Sequence, residues 1–253
     1  MEIAALQMHA KLGDRAANFE KTERLLEGVE ADIIVLPEYF DIGWCPEGSL
    51  DNGEAAEFLS GLAKKLNANI IGGSYIERRG DKLFNTCPVF NRAGELVAKY
   101  DKMHIFRAGG EDKYLSPGTN PVMVELNGVK IGLTICYDVR FPEIYRAYMR
   151  AGADIITNIA AWGAQKPVPW EVMTRSRAAE SQSYVVALTQ SGGENLGHSR
   201  VIDYKGEILT EIKEGEGIIK AAIDLNEMHE FRRKFCTLTD VKENYEVVCE
   251  KIS

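Results

Sequence analysis

Ala31-Asp32-Ile33-Ile34-Val35-Leu36-Pro37-Glu38 is a short apolar run that halts at a proline and leaves a carboxylate just beyond its end. A run without polar alternation marks a strand buried on both faces, as in a parallel sheet covered by helices. The opening returns as Ala153-Asp154-Ile155-Ile156. Each copy follows a helical pattern. The first is residues 16–29, ending at Gly28, with Phe19, Leu25, Leu26 and Val29 among charges. The second is residues 142–150, opened by Pro142 with Glu143 in its first turn. Two such β/α halves, packed sheet against sheet, predict an α/β fold arranged as a four-layer α-β-β-α sandwich.

Outward from these runs, residues 2–8 read as a strand, 54–66 as a helix and 69–76 as a strand. A hairpin joins 84–91 to 95–102 through Arg92-Ala93-Gly94. A second joins 121–126 to 129–136 through Asn127-Gly128, a strong two-residue turn signal, and its second strand ends at Cys136. Strands at 154–160, 184–190 and 217–224, a helix at 170–181, a hairpin around Lys205-Gly206 and a helical piece at 226–234 complete the pattern. The expectation is one domain over 1–253, with 235–253 a polar C-terminal tail suited to oligomer contacts.

The composition narrows the function classes. With 253 residues, 45% hydrophobic and 27% charged, the chain can bury a sizeable core. A net charge of −8 argues against a nucleic-acid partner, which needs clustered Lys and Arg. No run approaches the ~20 apolar residues of a membrane span, and the N-terminus lacks the pattern of a signal peptide. Five cysteines at irregular spacings suggest neither a disulfide framework nor a metal site, and point to a reducing, cytoplasmic setting. The four histidines show no ligand spacing such as HExxH, so no metal or other cofactor is expected.

Three polar residues fall at strand ends, where loops of α/β folds converge on a site: Glu38, Lys102 and Cys136. Taken singly, the cysteine reads as a small core residue and the other two as solvated side chains. Their surroundings change that. Leu36-Pro37-Glu38-Tyr39-Phe40, Tyr100-Asp101-Lys102-Met103-His104-Ile105-Phe106 and Ile135-Cys136-Tyr137-Asp138-Val139-Arg140-Phe141-Pro142-Glu143 closely resemble the signatures of the nitrilase superfamily of carbon–nitrogen hydrolases, in order and in spacing. Leu115-Ser116-Pro117-Gly118, Trp170-Glu171-Val172, Arg175-Ser176-Arg177-Ala178 and Gly197-His198-Ser199 extend the resemblance over nearly the whole chain. One departure is Asp101, which stands where the family often has arginine and puts a neighbouring ion pair in question.

The resemblance implies amide hydrolysis through a cysteine thioester. Cys136 would be the nucleophile, its thiol pKa lowered by a seat just before a helix N-terminus. Glu38 would carry the proton. Lys102 would face the oxyanion with the backbone N–H of Tyr137, and Glu111 would hold Lys102. The form of the motifs looks most like the branch of ω-amidases and deaminated-glutathione amidases, which release ammonia from dicarboxylate monoamides. Arg107, Lys113, Arg140, Lys166 and Arg200 are then candidates for a distal carboxylate, and Trp44 and Trp162 for pocket walls. Hydrolysis of N-carbamoyl amino acids, aliphatic amides or nitriles would use the same site. A catalytically silent interaction module would be expected to lack Cys136 or Lys102, and both are present. A Cys–His mechanism through His104 or His198 is the remaining rival. The family also implies a homodimer or higher oligomer that pairs a helical layer.

Overall fold

The two echoed stretches occupy equivalent places in the computed structural model, which describes residues 1–46, 53–242 and 246–249. The first half runs β1 (Glu2–Gln7), α1 (Arg15–Leu25), β2 (Ile33–Val35), α2 (Glu54–Leu66) and β3 (Asn69–Ile71), its strands parallel with β2 central. Strands β4 (Tyr75–Arg79), β5 (Lys82–Phe90), β6 (Leu96–Asp101) and β7 (Met123–Leu126) lead to the second half. That half is β8 (Val129–Ile135), α3 (Pro142–Arg150), β9 (Ile155–Ala160), α4 (Pro167–Ser181) and β10 (Tyr184–Thr189), again parallel, with β9 central.

The paired aspartates make matching bonds. Asp32 donates its N–H to Glu2 O and accepts Glu2 N–H on its carboxylate, both at 2.9 Å. Asp154 does the same with Lys130, at 2.8 and 2.9 Å. The repeat in sequence is therefore a repeat in structure: a short acidic side chain satisfies the backbone where each central strand begins.

After β10 come a small ribbon, β11 (Ser191–Gly192) with β12 (Asn195–Leu196), then β13 (Ser199–Ile202), β14 (Ile208–Ile212), β15 (Gly217–Ala222), α5 (Leu225–Lys234) and the short α6 (Thr237–Asp240). One sheet has the order β15-β1-β2-β3-β5-β4 with β6 beside β5, and the other β14-β13-β10-β9-β8-β7. The sheets pack face to face, β1 against β10 and β15 against β13.

Alternation along the strands shows the layering. Ile3, Ala5, Ile33 and Val35 share a core with Val185, Ala187 and Val201 of the other sheet. Ala4, Leu6, Ile34 and Leu36 pack instead with Leu59, Leu62 and Phe19 of the helices. Both faces of these strands are buried, which is why their sequence shows no polar alternation. Each large aliphatic side chain so buried stabilises the fold by about 1.5–3 kcal/mol. Two buried glutamines stitch the sheets together. Gln7 Oε1 accepts Ser199 N–H at 3.0 Å, and Gln190 Nε2 donates to Glu38 O at 2.7 Å. The expected α-β-β-α sandwich is the observed architecture. Among the described residues no helix is long and apolar enough to cross a membrane.

Some boundaries differ. The strand expected over 69–76 is two strands, because Gly73 turns at φ +61° and lies so close to Pro37 that a Cβ would stand 2.3 Å from its carbonyl oxygen. Helix α1 stops at Leu25, with Gly28 in the left-handed region at φ +72°. Cys136 does not end a strand. It opens a 3₁₀ turn, Cys136–Arg140, at φ +48°. A non-glycine residue in that region is strained, a feature that concentrates at functional sites. In the expected tail, α6 is a single turn and Phe235 is exposed, while 243–245 and 250–253 lie outside the described residues.

Candidate active site

Glu38, Lys102 and Glu111 come together although 73 residue numbers separate the first from the last. Glu38 follows the buried Leu36-Pro37 and is 1% exposed. Its turn is clamped by Ser74, whose N–H donates to Pro37 O at 3.2 Å and whose Oγ accepts Tyr39 N–H at 3.1 Å. Lys102 is the first residue past β6 and is equally buried. Its N–H donates to Asn85 O, and its carbonyl accepts Gly118 N–H, both at 2.9 Å. Glu111 begins a 3₁₀ turn, Glu111–Lys113, and accepts Phe106 N–H on Oε2 at 2.7 Å.

The Lys102 ammonium donates to Glu38 Oε1 at 3.0 Å and to Glu111 Oε1 at 2.7 Å. Burial disfavours its charge, but Glu38, Cys136 and Glu111 outweigh that and hold its pKa above the usual lysine value. Glu38 also accepts Asn85 Nδ2 on Oε1 at 2.8 Å and Ala161 N–H on Oε2 at 2.7 Å. Burial still pushes the Glu38 pKa up, against the pull of Lys102.

Cys136 is half-buried at the head of its turn. The expected lowering of its thiol pKa does not occur. Burial raises it well above the ordinary thiol range, the charge of Glu38 adds to the rise, and Lys102 only partly opposes it. A hydrogen bond to Glu38 also favours the protonated thiol. Burial is the largest influence on this thiol. The thiol therefore rests protonated against a carboxylate that can take its proton.

The turn that carries the thiol is held by Asp138, which is fully buried. Its carboxylate accepts Ile135 N–H at 2.8 Å, Tyr100 Oη at 2.6 Å and His104 N–H at 3.0 Å, and it meets His104 Nδ1 at 2.7 Å. Arg177 Nε donates to Val139 O at 2.9 Å. Tyr137, second in the turn, has an N–H with no acceptor inside the turn, the position expected of an oxyanion donor.

His104 is committed to Asp138 and stacks on Phe141 at 3.7 Å, while His198 Nδ1 lies 3.4 Å from Glu211. Asp101 makes an ion pair after all, with Arg79, and also accepts Thr86 Oγ1 at 2.7 Å. Arg79 ends β4 and Asp101 ends β6, the two strands that flank β5.

The wall residues divide. Trp44 packs on Tyr39 (ring centroids 5.2 Å apart) and on Tyr114 (6.3 Å). Trp162 is buried, with Nε1 donating to Lys166 O at 2.8 Å. Arg140 is exposed and lies over the Trp162 ring at 5.3 Å and the Tyr137 ring at 6.0 Å. Of the other cations, Arg200 is buried against Glu211 at 2.6 Å and so is committed inside the fold. Lys166 lies over Phe106 at 4.7 Å. Arg107 borders a cleft of about 540 Å³ that also includes Met103, Leu115, Tyr137 and Phe141 and so opens beside the turn that carries Cys136. Lys113 is exposed.

Sequence reading missed Asn85 and Tyr39. Both are buried, and both bond directly to the carboxylates. A polar residue in the middle of β5 was the one available sign of Asn85.

A family model for carbon-nitrogen hydrolases matches residues 2–233. The 2-oxoglutaramate amidase of Bacillus subtilis is 33% identical, with 96% of this chain and 98% of that protein covered. The omega-amidase NIT2 of Homo sapiens is 34% identical over 81% of this chain and 80% of its own length. Among solved structures, a CN-hydrolase superfamily protein from Xanthomonas campestris, carrying an arsenic adduct in its active site, superposes with a TM-score of 0.92 at 28% identity. It covers 98% of this chain and 99% of its own.

Proposed function

This chain belongs to the carbon-nitrogen hydrolase family, and from that membership we propose that it hydrolyses a dicarboxylate monoamide to the acid and ammonia, with Cys136, Glu38, Lys102 and Glu111 as its catalytic residues. The observation that carries the reading is the buried Glu38–Lys102–Glu111 bridge beside a strained, half-buried thiol.

Glu38 takes the Cys136 proton as sulfur attacks the amide carbon, so no free thiolate need accumulate. The oxyanion forms between the Lys102 ammonium and the Tyr137 N–H, each such donor contributing about 3–4 kcal/mol to the transition state. Collapse breaks the C–N bond, Glu38 returns its proton to the leaving nitrogen, and ammonia departs. Glu38 then takes a proton from water as its oxygen attacks the thioester carbon, the C–S bond breaks to free the acid, and Glu38 returns the proton to the leaving sulfur. Glu111 keeps Lys102 in place and charged throughout.

The substrate class rests on the relatives named for 2-oxoglutaramate and ω-amide hydrolysis and on Arg140. That guanidinium spans Tyr137, next to the nucleophile, and Trp162, next to the Ala161 N–H that binds Glu38. An exposed cation at that point suits a carboxylate at the far end of the substrate. The five free thiols support a cytoplasmic setting. The exposed Val168 and Val172, one turn apart on α4, support a homodimer through the helical layer, with the C-terminal tail adding to the contact.

An ammonia-release screen over dicarboxylate monoamides, aliphatic amides, N-carbamoyl amino acids and nitriles tests the substrate. Monoamides should turn over best, and Arg140→Ala should raise their KM at least tenfold while leaving uncharged amides unchanged. Turnover of nitriles or carbamoyl compounds alone would sink the amidase assignment. Glu38→Gln tests the mechanism: activity should fall at least a thousandfold, whereas a Cys–His enzyme would keep most of it.

A further inference from the structure

The bridge is one side of a closed ring. Lys102 joins Glu38 to Glu111 directly. On the other side, Tyr39 Oη donates to Glu111 Oε1 at 3.2 Å, Asn85 Nδ2 donates to Tyr39 Oη at 2.8 Å, and Asn85 Nδ2 donates to Glu38 Oε1 at 2.8 Å. All five residues are buried.

The proton inventory leaves little freedom in this ring. Lys102 supplies one positive charge against two carboxylates. The Tyr39 phenol keeps its proton, because burial and the charges of Glu111 and Glu38 raise its pKa well above the ordinary value. That proton goes to Glu111, so Tyr39 Oη can only accept from Asn85. Both acceptors of Asn85 therefore require its NH₂ group, which fixes the amide orientation. The cost is visible, since Asn85 Oδ1 is buried without a partner among the described residues.

We propose that Asn85 and Tyr39 are positioning residues for the base: two uncharged donors that close the ring and hold Glu38 in place as a carboxylate. Glu38 Oε1 takes both Lys102 and Asn85, and Oε2 takes the Ala161 N–H. This inference rests on Glu38 being the base, and it fails separately from that reading. If Glu38→Gln kept its activity, the base assignment would fall first.

The experiment is a pH profile of kcat/KM for ammonia release, with alkylation of Cys136 by iodoacetamide measured alongside as a substrate-independent probe. Asn85→Leu keeps the volume and removes both donors. Its acid limb should move to higher pH by about one unit, so that activity on the acid side of both limbs falls about tenfold relative to the parent. On the alkaline side of both limbs the activity should return to within about threefold, since raising pH restores the carboxylate. Alkylation should follow the same displaced limb. Tyr39→Phe should move the limb the same way by less, and it stands as the test should Asn85→Leu not fold. A loss that is uniform across pH in both variants, or no displacement in either, would overturn the proposal.

Discussion

Replacing Lys102 by methionine keeps the side chain's length and removes the cation between Glu38 and Glu111. In the parent, Lys102 lies 3.0 and 2.7 Å from their oxygens, with all three side chains buried. Breaking a buried ion pair by deleting one partner costs about 3–5 kcal/mol. For a chain of this size that is a loss of about 6–20 °C in Tm. Activity should fall by about a hundredfold to a thousandfold from the missing oxyanion donor alone. The stability loss should depend on pH in a definite direction. Burial already raises the Glu38 pKa, and Lys102 is the chief opposing influence. A carboxyl whose folded-state pKa exceeds its unfolded one loses stability as pH rises through the folded value. The deficit of Lys102→Met should therefore grow from acid to alkaline pH. Adding Glu111→Gln removes one uncompensated carboxylate and should recover part of the Tm with none of the activity. The assays are thermal melts across pH and ammonia release by each variant. A melt within about 2 °C of the parent, a deficit independent of pH, or activity within tenfold would refute the electrostatic argument.

Three further outcomes follow from the structure. The parent's kcat/KM should fall in acid along a limb above 4.5, the ordinary glutamate value, because Glu38 must be ionised and its pKa is raised. Its thiolate absorbance should be absent at neutral pH, since burial and Glu38 raise the thiol; a limb at or below 4.5, or a neutral-pH thiolate, would contradict this. Gly73→Ala should destabilise the fold by about 2 kcal/mol or more and lower kcat, because its Cβ would stand 2.3 Å from the oxygen of Pro37, the residue that carries Glu38. A change in denaturant midpoint equivalent to less than about 0.5 kcal/mol would count against that clash.

Much of this protein was legible before any coordinates. The unbroken apolar run at Asp32–Leu36 and its echo at Asp154 report a strand with two buried faces, because the hydrophobic period is a local property of sequence. Asn127-Gly128 and Pro142 mark their turn and helix start for the same reason: both residues of the turn have positive φ, and Pro142 opens α3. Glu38, Lys102, Glu111 and Cys136 could be named because each lies in a short stretch whose order and spacing resemble a known family.

What tertiary structure decided was everything that depends on groups far apart in the chain. Asn85 shows locally only as a polar residue in the middle of a strand, yet it bonds to a glutamate 47 positions away. Arg200 looked as available as Arg140 until packing buried it against Glu211. The thiol pKa of Cys136 was expected to fall from its place beside a helix start, and it rises. A sequence states which charges neighbour a group along the chain. Desolvation depends on how many atoms of remote segments close over it, and only the packed sandwich sets that number.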